Sequence, residues 1–182
     1  MSSPAPDPVW RLDGILLELL SELSEGLGLT VERVQAGAYL VTLPGQARAA
    51  TYVWLIAGEQ AVAVEAFVMH VVPGGCDDPA ALHRYLLRRN LGLRTVHLSL
   101  DDVGDVFLVG SLPHEAVTAA GIDRVLGELA SLLEDTTATL LGLAYGDRLA
   151  GDPALRAKAT VDGAGRRPAG TAAGSPQRDA RR

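Results

Sequence analysis

The densest set of chemically capable side chains lies between Asp77 and Pro113, DDPAALHRYLLRRNLGLRTVHLSLDDVGDVFLVGSLP. It brings His83, the pair Arg88-Arg89, Asn90 and the acids Asp101, Asp102 and Asp105 close together in sequence. A histidine near carboxylates could move protons, paired arginines could hold an anion, and clustered aspartates could hold a cation. Position by position, local structural chemistry accounts for most of them. Asp78-Pro79 is an N-cap followed by proline at the first helical position. Arg88 and Arg89 fall in the last turn of the same helix, where cations oppose the macrodipole, and Gly92 is an expected left-handed stop. Asp101 to Gly104 is a turn signal, because Asp side chains bond turn backbone, and the spacing of a calcium-binding loop is missing. Arg88, Arg89 and Asn90 remain as candidates for contact with the carboxylates of a partner or of a second copy.

The rest of the chain offers little to a reaction. No Gly-x-Ser-x-Gly elbow, His-Glu-x-x-His helix or phosphate-cradling loop is present. Gly26-Leu27-Gly28 lacks the third glycine and the preceding strand of a dinucleotide fingerprint, and reads as a helix end. His70, His83, His97 and His114 sit on different elements without a second ligand in a metal-binding arrangement. Cys76, the single cysteine, precedes Asp77 and Asp78, whose negative charges disfavour a thiolate nucleophile. The expectation is a non-enzyme with no catalytic, cofactor or metal residues.

Composition bounds the class. The 182 residues are 48% hydrophobic and only 4% aromatic, enough for one domain with a core of Leu, Val and Ala. Residues 1–151 carry 9 Arg against 19 Asp and Glu, net −10, whereas residues 152–182 carry 7 basic against 3 acidic residues, net +4. An acidic folded part argues against nucleic-acid binding, which needs a basic surface. The Gly-, Pro-, Ala- and Arg-rich tail lacks periodicity and is expected to be disordered, free to attach weakly to acidic partners or to the domain's own surface. No signal peptide or membrane-length apolar run is evident, and one cysteine suits a reducing compartment, so a soluble cytoplasmic protein is expected. The predicted division is a flexible 1–7, a domain over 8–150 and a disordered basic tail over 151–182.

Periodicity supplies the elements. Leu12, Ile15, Leu16, Leu19, Leu20, Leu23 and Leu27 recur at helical spacing behind Asp7-Pro8. A strand region follows within Val31 to Leu43, with a possible break at Ala36-Gly37, then strands at Thr51 to Ala57 and Ala61 to His70. Both faces of the last two are apolar, so both should be covered, by the chain's own helices or by a partner. Tyr52 and Trp54 would be the aromatic anchors of an uncovered face. The central helix, a hairpin over Thr95 to Leu112 and a long helix capped by Thr118 complete an α-β-β-β-α-β-β-α order. The predicted fold is α+β, with an antiparallel five-stranded sheet and three helices.

Five segments, LPG (43–45), VEAFV (64–68), YLLRRN (85–90), GDVFLVGSLP (104–113) and IDRVLGEL (122–129), resemble the YbjN-domain family of bacteria in its actinobacterial form. YLLRRN and GDVFLVG are the most specific, and the match runs from about Leu43 to Tyr145. The resemblance implies a type III secretion chaperone-like fold, a role in bacterial sensory-transduction regulation and no catalytic residues. Proteins of that fold often dimerise and bind other proteins. The expected function is therefore a protein-interaction module, a homodimeric chaperone-like or regulatory adaptor with an unidentified protein partner. The alternative is a small-molecule sensor with a pocket between the long helix and the sheet.

Overall fold

The computed structural model describes residues 8–46, 50–71, 76, 78–151 and 159–160. The elements are α1 (Pro8–Leu27), β1 (Thr30–Gln35), β2 (Ala38–Pro44), β3 (Ala50–Ala57), β4 (Ala61–Met69), α2 (Pro79–Asn90), β5 (Val96–Leu100), β6 (Val106–Pro113), α3 (Ala119–Tyr145) and α4 (Arg148–Gly151), with a short 3₁₀ turn at His114–Ala116. The α+β class and antiparallel sheet expected from the sequence are present, with six strands instead of five. The extra strand comes from the Val31 to Leu43 region, which folds back on itself. Gly37 takes a positive φ of 73°, open to a residue without Cβ, and the chain reverses so that Gln35 pairs Ala38.

The sheet order is β1-β2-β3-β4-β6-β5, all neighbours antiparallel. Strands β1 to β4 form a meander, and α2 then carries the chain to the far edge before β6 returns beside β4. Side-chain alternation sends Tyr39, Val41, Val53, Leu55, Val62, Val64, Ala66, Leu98 and Leu108 into one continuous core. Leu12, Leu16 and Leu20 of α1, Leu82 and Leu86 of α2, and ten buried apolar positions of α3 fill the same core. All three long helices therefore lie on one face. Ile15 and Leu27, at helical spacing with the buried leucines, are exposed, because α1 lies over β1 and β3 and presents only one stripe to the core.

The helix ends follow local chemistry. Asp78 accepts from the Ala81 N–H at 2.9 Å with Pro79 behind it, and Thr118 accepts from the Gly121 N–H at 3.1 Å. A Cβ at Gly121 would stand 2.0 Å from the Ala116 carbonyl oxygen, so the tight entry to α3 needs glycine there. Gly92 does not adopt the expected left-handed stop. Instead Leu91, Gly92 and Leu93 donate to carbonyls three residues back, tightening the last turn of α2. Two threonines sit buried in α3, and each hydroxyl donates to the carbonyl four residues earlier, Thr136 to Leu132 and Thr137 to Leu133, both at 2.6 Å.

One polar cluster pins α1 to the first hairpin. The Asp13 carboxylate accepts from the Gly37 N–H at 2.8 Å and the Tyr39 hydroxyl at 2.6 Å, and pairs with the Arg33 guanidinium. The Arg33 hydrogen bond is the largest cause that brings the Asp13 pKa down to about 2, and burial is the largest that pushes Tyr39 up to about 12. Asp13→Asn should destabilise the fold by about 1–3 kcal/mol, the cost of leaving buried donors badly paired. With its folded pKa below its ordinary 3.8, Asp13 contributes stability at neutral pH that disappears as pH falls from about 4 towards about 2. Denaturant midpoints across that window should fall in the wild type and stay flatter in Asp13→Asn.

Candidate functional site

Helix α2 divides its residues between three jobs. Leu82 and Leu86 enter the core, with Tyr85 and Arg89 half-buried beside them. Asn90 turns inward to the neighbouring strand: its Oδ1 accepts from the Leu98 N–H at 2.8 Å and its amide donates to the Leu98 carbonyl at 2.9 Å. Leu87 and Leu91, one turn apart, face outward and are 70% and 88% exposed. With Ala80, His83, Arg84 and Arg88 they line a shallow depression of about 560 Å³. A second groove of about 330 Å³ runs between α2 and β5, past Leu87, Asn90 and Ser99.

The two hydrogen bonds between Asn90 and Leu98 matter because β5 is a sheet edge, where unpaired backbone groups attract foreign strands. Asn90 imitates a neighbouring strand at Leu98, and Glu128 of α3 closes the start of the same edge. Its carboxylate accepts from the Arg94 and Thr95 N–H groups at 3.3 and 3.4 Å. Burial opposes the Glu128 charge, but hydrogen bonds from the Thr95 side chain and the backbone of Arg94, Thr95 and Val96 outweigh it and lower the pKa. At β1, the other edge, none of the described side chains makes such a contact.

The remaining candidates scatter. Arg89 donates to Asp135 at 3.1 Å across to α3, and its buried Nε has no hydrogen-bond partner. Arg88 is exposed at the rim of the α2 depression. Tyr52 and Trp54 are half-buried on the opposite face of the sheet, away from the helices. The five residues picked from sequence therefore belong to two surfaces, with Asn90 directed into the fold. Leu87, Leu91 and Glu128 were not singled out. The two leucines fall off the Leu82–Leu86 stripe, a helical-wheel signal that was available. Glu128 gave no local signal, since its partners lie more than 30 positions away.

The acid and histidine cluster also separates. Asp101 accepts from the Val103 and Asp105 N–H groups and shapes the turn. Asp105 is buried instead, 2.9 Å from His70 Nδ1 and accepting from the Val71 N–H. The Tyr145 hydroxyl donates to the His70 carbonyl at 2.5 Å, so this group ties the end of β4 to β6 and α3. His83 and His97 are exposed and His114 contacts the Gly58 carbonyl. Cys76 donates to the Leu143 carbonyl at 3.6 Å. Among the described residues no group of three metal-ligating side chains comes together, and no helix is long and apolar enough to cross a membrane. The space between α3 and the sheet is filled by Val125, Leu126, Leu129, Leu133 and Leu140, all buried.

The expected tail, 151–182, lies almost wholly outside the described residues. Within it Ala159 is buried, and its carbonyl accepts from the His70 N–H at 3.0 Å.

Asn90→Ala should cost about 1–3 kcal/mol by stranding the Leu98 backbone groups, and should also promote self-association through the opened edge. Thermal unfolding and light scattering of the same sample measure the two effects separately.

Comparison with known proteins agrees with the fold. The chain is 39% identical over 108 residues to an uncharacterized protein of Mycobacterium tuberculosis, covering 59% of this chain and 57% of that protein. It is 40% identical over 106 residues to an uncharacterized protein of Mycobacterium leprae, covering 58% and 56%. The aligned region thus spans a little over half the length of these relatives. Among solved structures, the chain is similar to one in the crystal structure of the ExsC-ExsE complex, with TM-score 0.51 and 18% identity over 71% of this chain and 96% of that one. A Yersinia pestis type III secretion chaperone, SycH, crystallised with a fragment of YscM2, is matched at a TM-score of 0.39 with 17% identity over 66% and 95%, too low to bear on the argument. The profile of the YbjN family, described as "Putative bacterial sensory transduction regulator", matches residues 16–141, and the chain belongs to that family.

Proposed function

We propose that this chain is a non-enzymatic protein-interaction module of the cytoplasm that acts as a homodimeric regulatory adaptor, with the outer face of α2 at the dimer contact. The observation that carries this reading is the exposed pair Leu87 and Leu91, set among His83, Arg84 and Arg88. Two large leucines one turn apart lose apolar area to water unless another surface covers them, and burying each would contribute about 1.5–3 kcal/mol. The cations around them suit a partner with carboxylates, and residues 1–151 of a second copy carry net −10. The closed β5 edge favours side-chain packing over strand addition at this end of the sheet. A regulatory role accords with the family description, and the similar fold in the ExsC-ExsE complex is found bound to a protein.

Sedimentation or light scattering at micromolar concentration should return twice the 19.1 kDa chain mass. Leu87→Glu with Leu91→Glu should return the monomer mass with an unchanged far-ultraviolet circular dichroism spectrum, since neither side chain enters the core. A wild type that stays monomeric throughout this range defeats the dimer reading.

A further inference from the structure

Of the seven large apolar side chains exposed among the described residues, five lie on just two helices, Leu87 and Leu91 on α2 and Ile15, Leu17 and Leu27 on α1. The charges on those helices are opposite. Helix α2 contains three arginines, one histidine and no carboxylate, and Arg84 and Arg88 stand exposed beside the two leucines. Helix α1 exposes Glu18, Glu22 and Glu25, with Ile15 and Leu17 on either side of Glu18. Its one basic residue, Arg11, lies towards the other end. None of these charges takes part in an ion pair among the described residues. The spacing matches as well. Arg84 and Arg88 are one turn apart, as are Glu18 and Glu22, about 6 Å along each helix axis. Beside Glu18 a shallow depression of about 510 Å³ opens over Gly14, where a Cβ would meet nothing within 4 Å.

A contact between α2 and α2 of two copies would set Arg84 and Arg88 against their own counterparts, which like charges oppose. The geometry points instead to the outer face of α1 in a second copy as the surface that covers Leu87 and Leu91. The assignment rests on the dimer contact at α2 and fixes what lies opposite it. Both helices lie on the same face of the sheet, α1 over β1 and β3 at one end and α2 against β5 at the other, with α3 touching both. A two-fold axis parallel to the strands, in the plane between two facing helix layers, exchanges the two ends. Each α2 then lies over the α1 of the other copy, and the contact is made twice. Leu87 and Leu91 pack on Ile15 and the open surface at Gly14, while Arg84 and Arg88 face Glu18 and Glu22. One closed pair uses both surfaces, so neither needs a foreign protein to cover it.

Charge reversal reads this directly. Glu18→Arg with Glu22→Arg should return the monomer mass in sedimentation at micromolar concentration, as should Arg84→Glu with Arg88→Glu. Combining all four substitutions in one chain restores opposite charges at both contacts and should return twice the monomer mass. All four positions are exposed, and circular dichroism checks the fold of each variant. The unmodified chain gives a second reading that misfolding cannot blur. Raising salt from about 0.05 M to about 0.5 M should weaken its dimer roughly tenfold, the effect of screening four exposed charge pairs. A contact between α2 and α2 would strengthen instead, and that result overturns the assignment. Dimers that survive reversal of Glu18 and Glu22, while Leu87→Glu with Leu91→Glu gives monomer, overturn the role of α1 and leave the α2 reading standing. A combined variant that stays monomeric, or masses that grow beyond twice the chain, overturns it too. An unmodified chain that is monomeric throughout ends both readings.

Discussion

A sheet built from strands that are apolar on both sides needs two covers, and the three long helices of this chain supply one. Everything else in the architecture follows from where that cover is placed. Burial of alternate residues of six strands against α1, α2 and α3 makes a single core, because residues of even and odd parity on a strand cannot reach the same layer. The helices can therefore saturate one parity and leave the other untouched. Trp54, Phe67 and Phe107 sit on that other parity, and with them Glu65, a carboxylate whose position within an apolar row would be costly without specific partners.

The two ends of the sheet are treated differently. At β5, Asn90 and Glu128 supply the hydrogen bonds a neighbouring strand would supply, so that edge is closed by side chains from two helices. At the opposite end, the Asp13 cluster spends its polar groups on joining α1 to the turn between β1 and β2. The stiff end of α2 follows from the first device. Held by Asn90 below and Arg89 to Asp135 at the side, the helix leaves Leu87 and Leu91 exposed on its outer face.

Much of this was visible in the residues. Helical spacing located α1, α2 and α3, and the Asp-Pro and Thr caps placed the starts of the last two. Alternation located β3 and β4 and flagged that both of their faces are apolar. The β1–β2 turn was harder to read, since Ala36-Gly37 is a weak turn signal and reversal there depends on the left-handed conformation of one glycine. The end of α2 was misjudged for a related reason. A glycine after a helix invites a left-handed stop, but the competing hydrogen bonds of Asn90 to Leu98 set the local geometry.

The candidate surfaces divide in the same way. Sequence by itself determined the α+β class, the lack of a recognisable reaction motif, the charge contrast between domain and tail, and which residues have polar or aromatic reach, because these depend on local spacing and composition. Tertiary structure decided which of those residues share a surface. Arg88 and Trp54, each a candidate contact residue, lie on opposite sides of the sheet, and Asn90, another candidate, bonds Leu98 of its own chain. Asp105 left the turn cluster for His70, 35 positions earlier. Such pairings are set by strand order and by which face a helix covers, and both are products of long-range packing that no local pattern encodes.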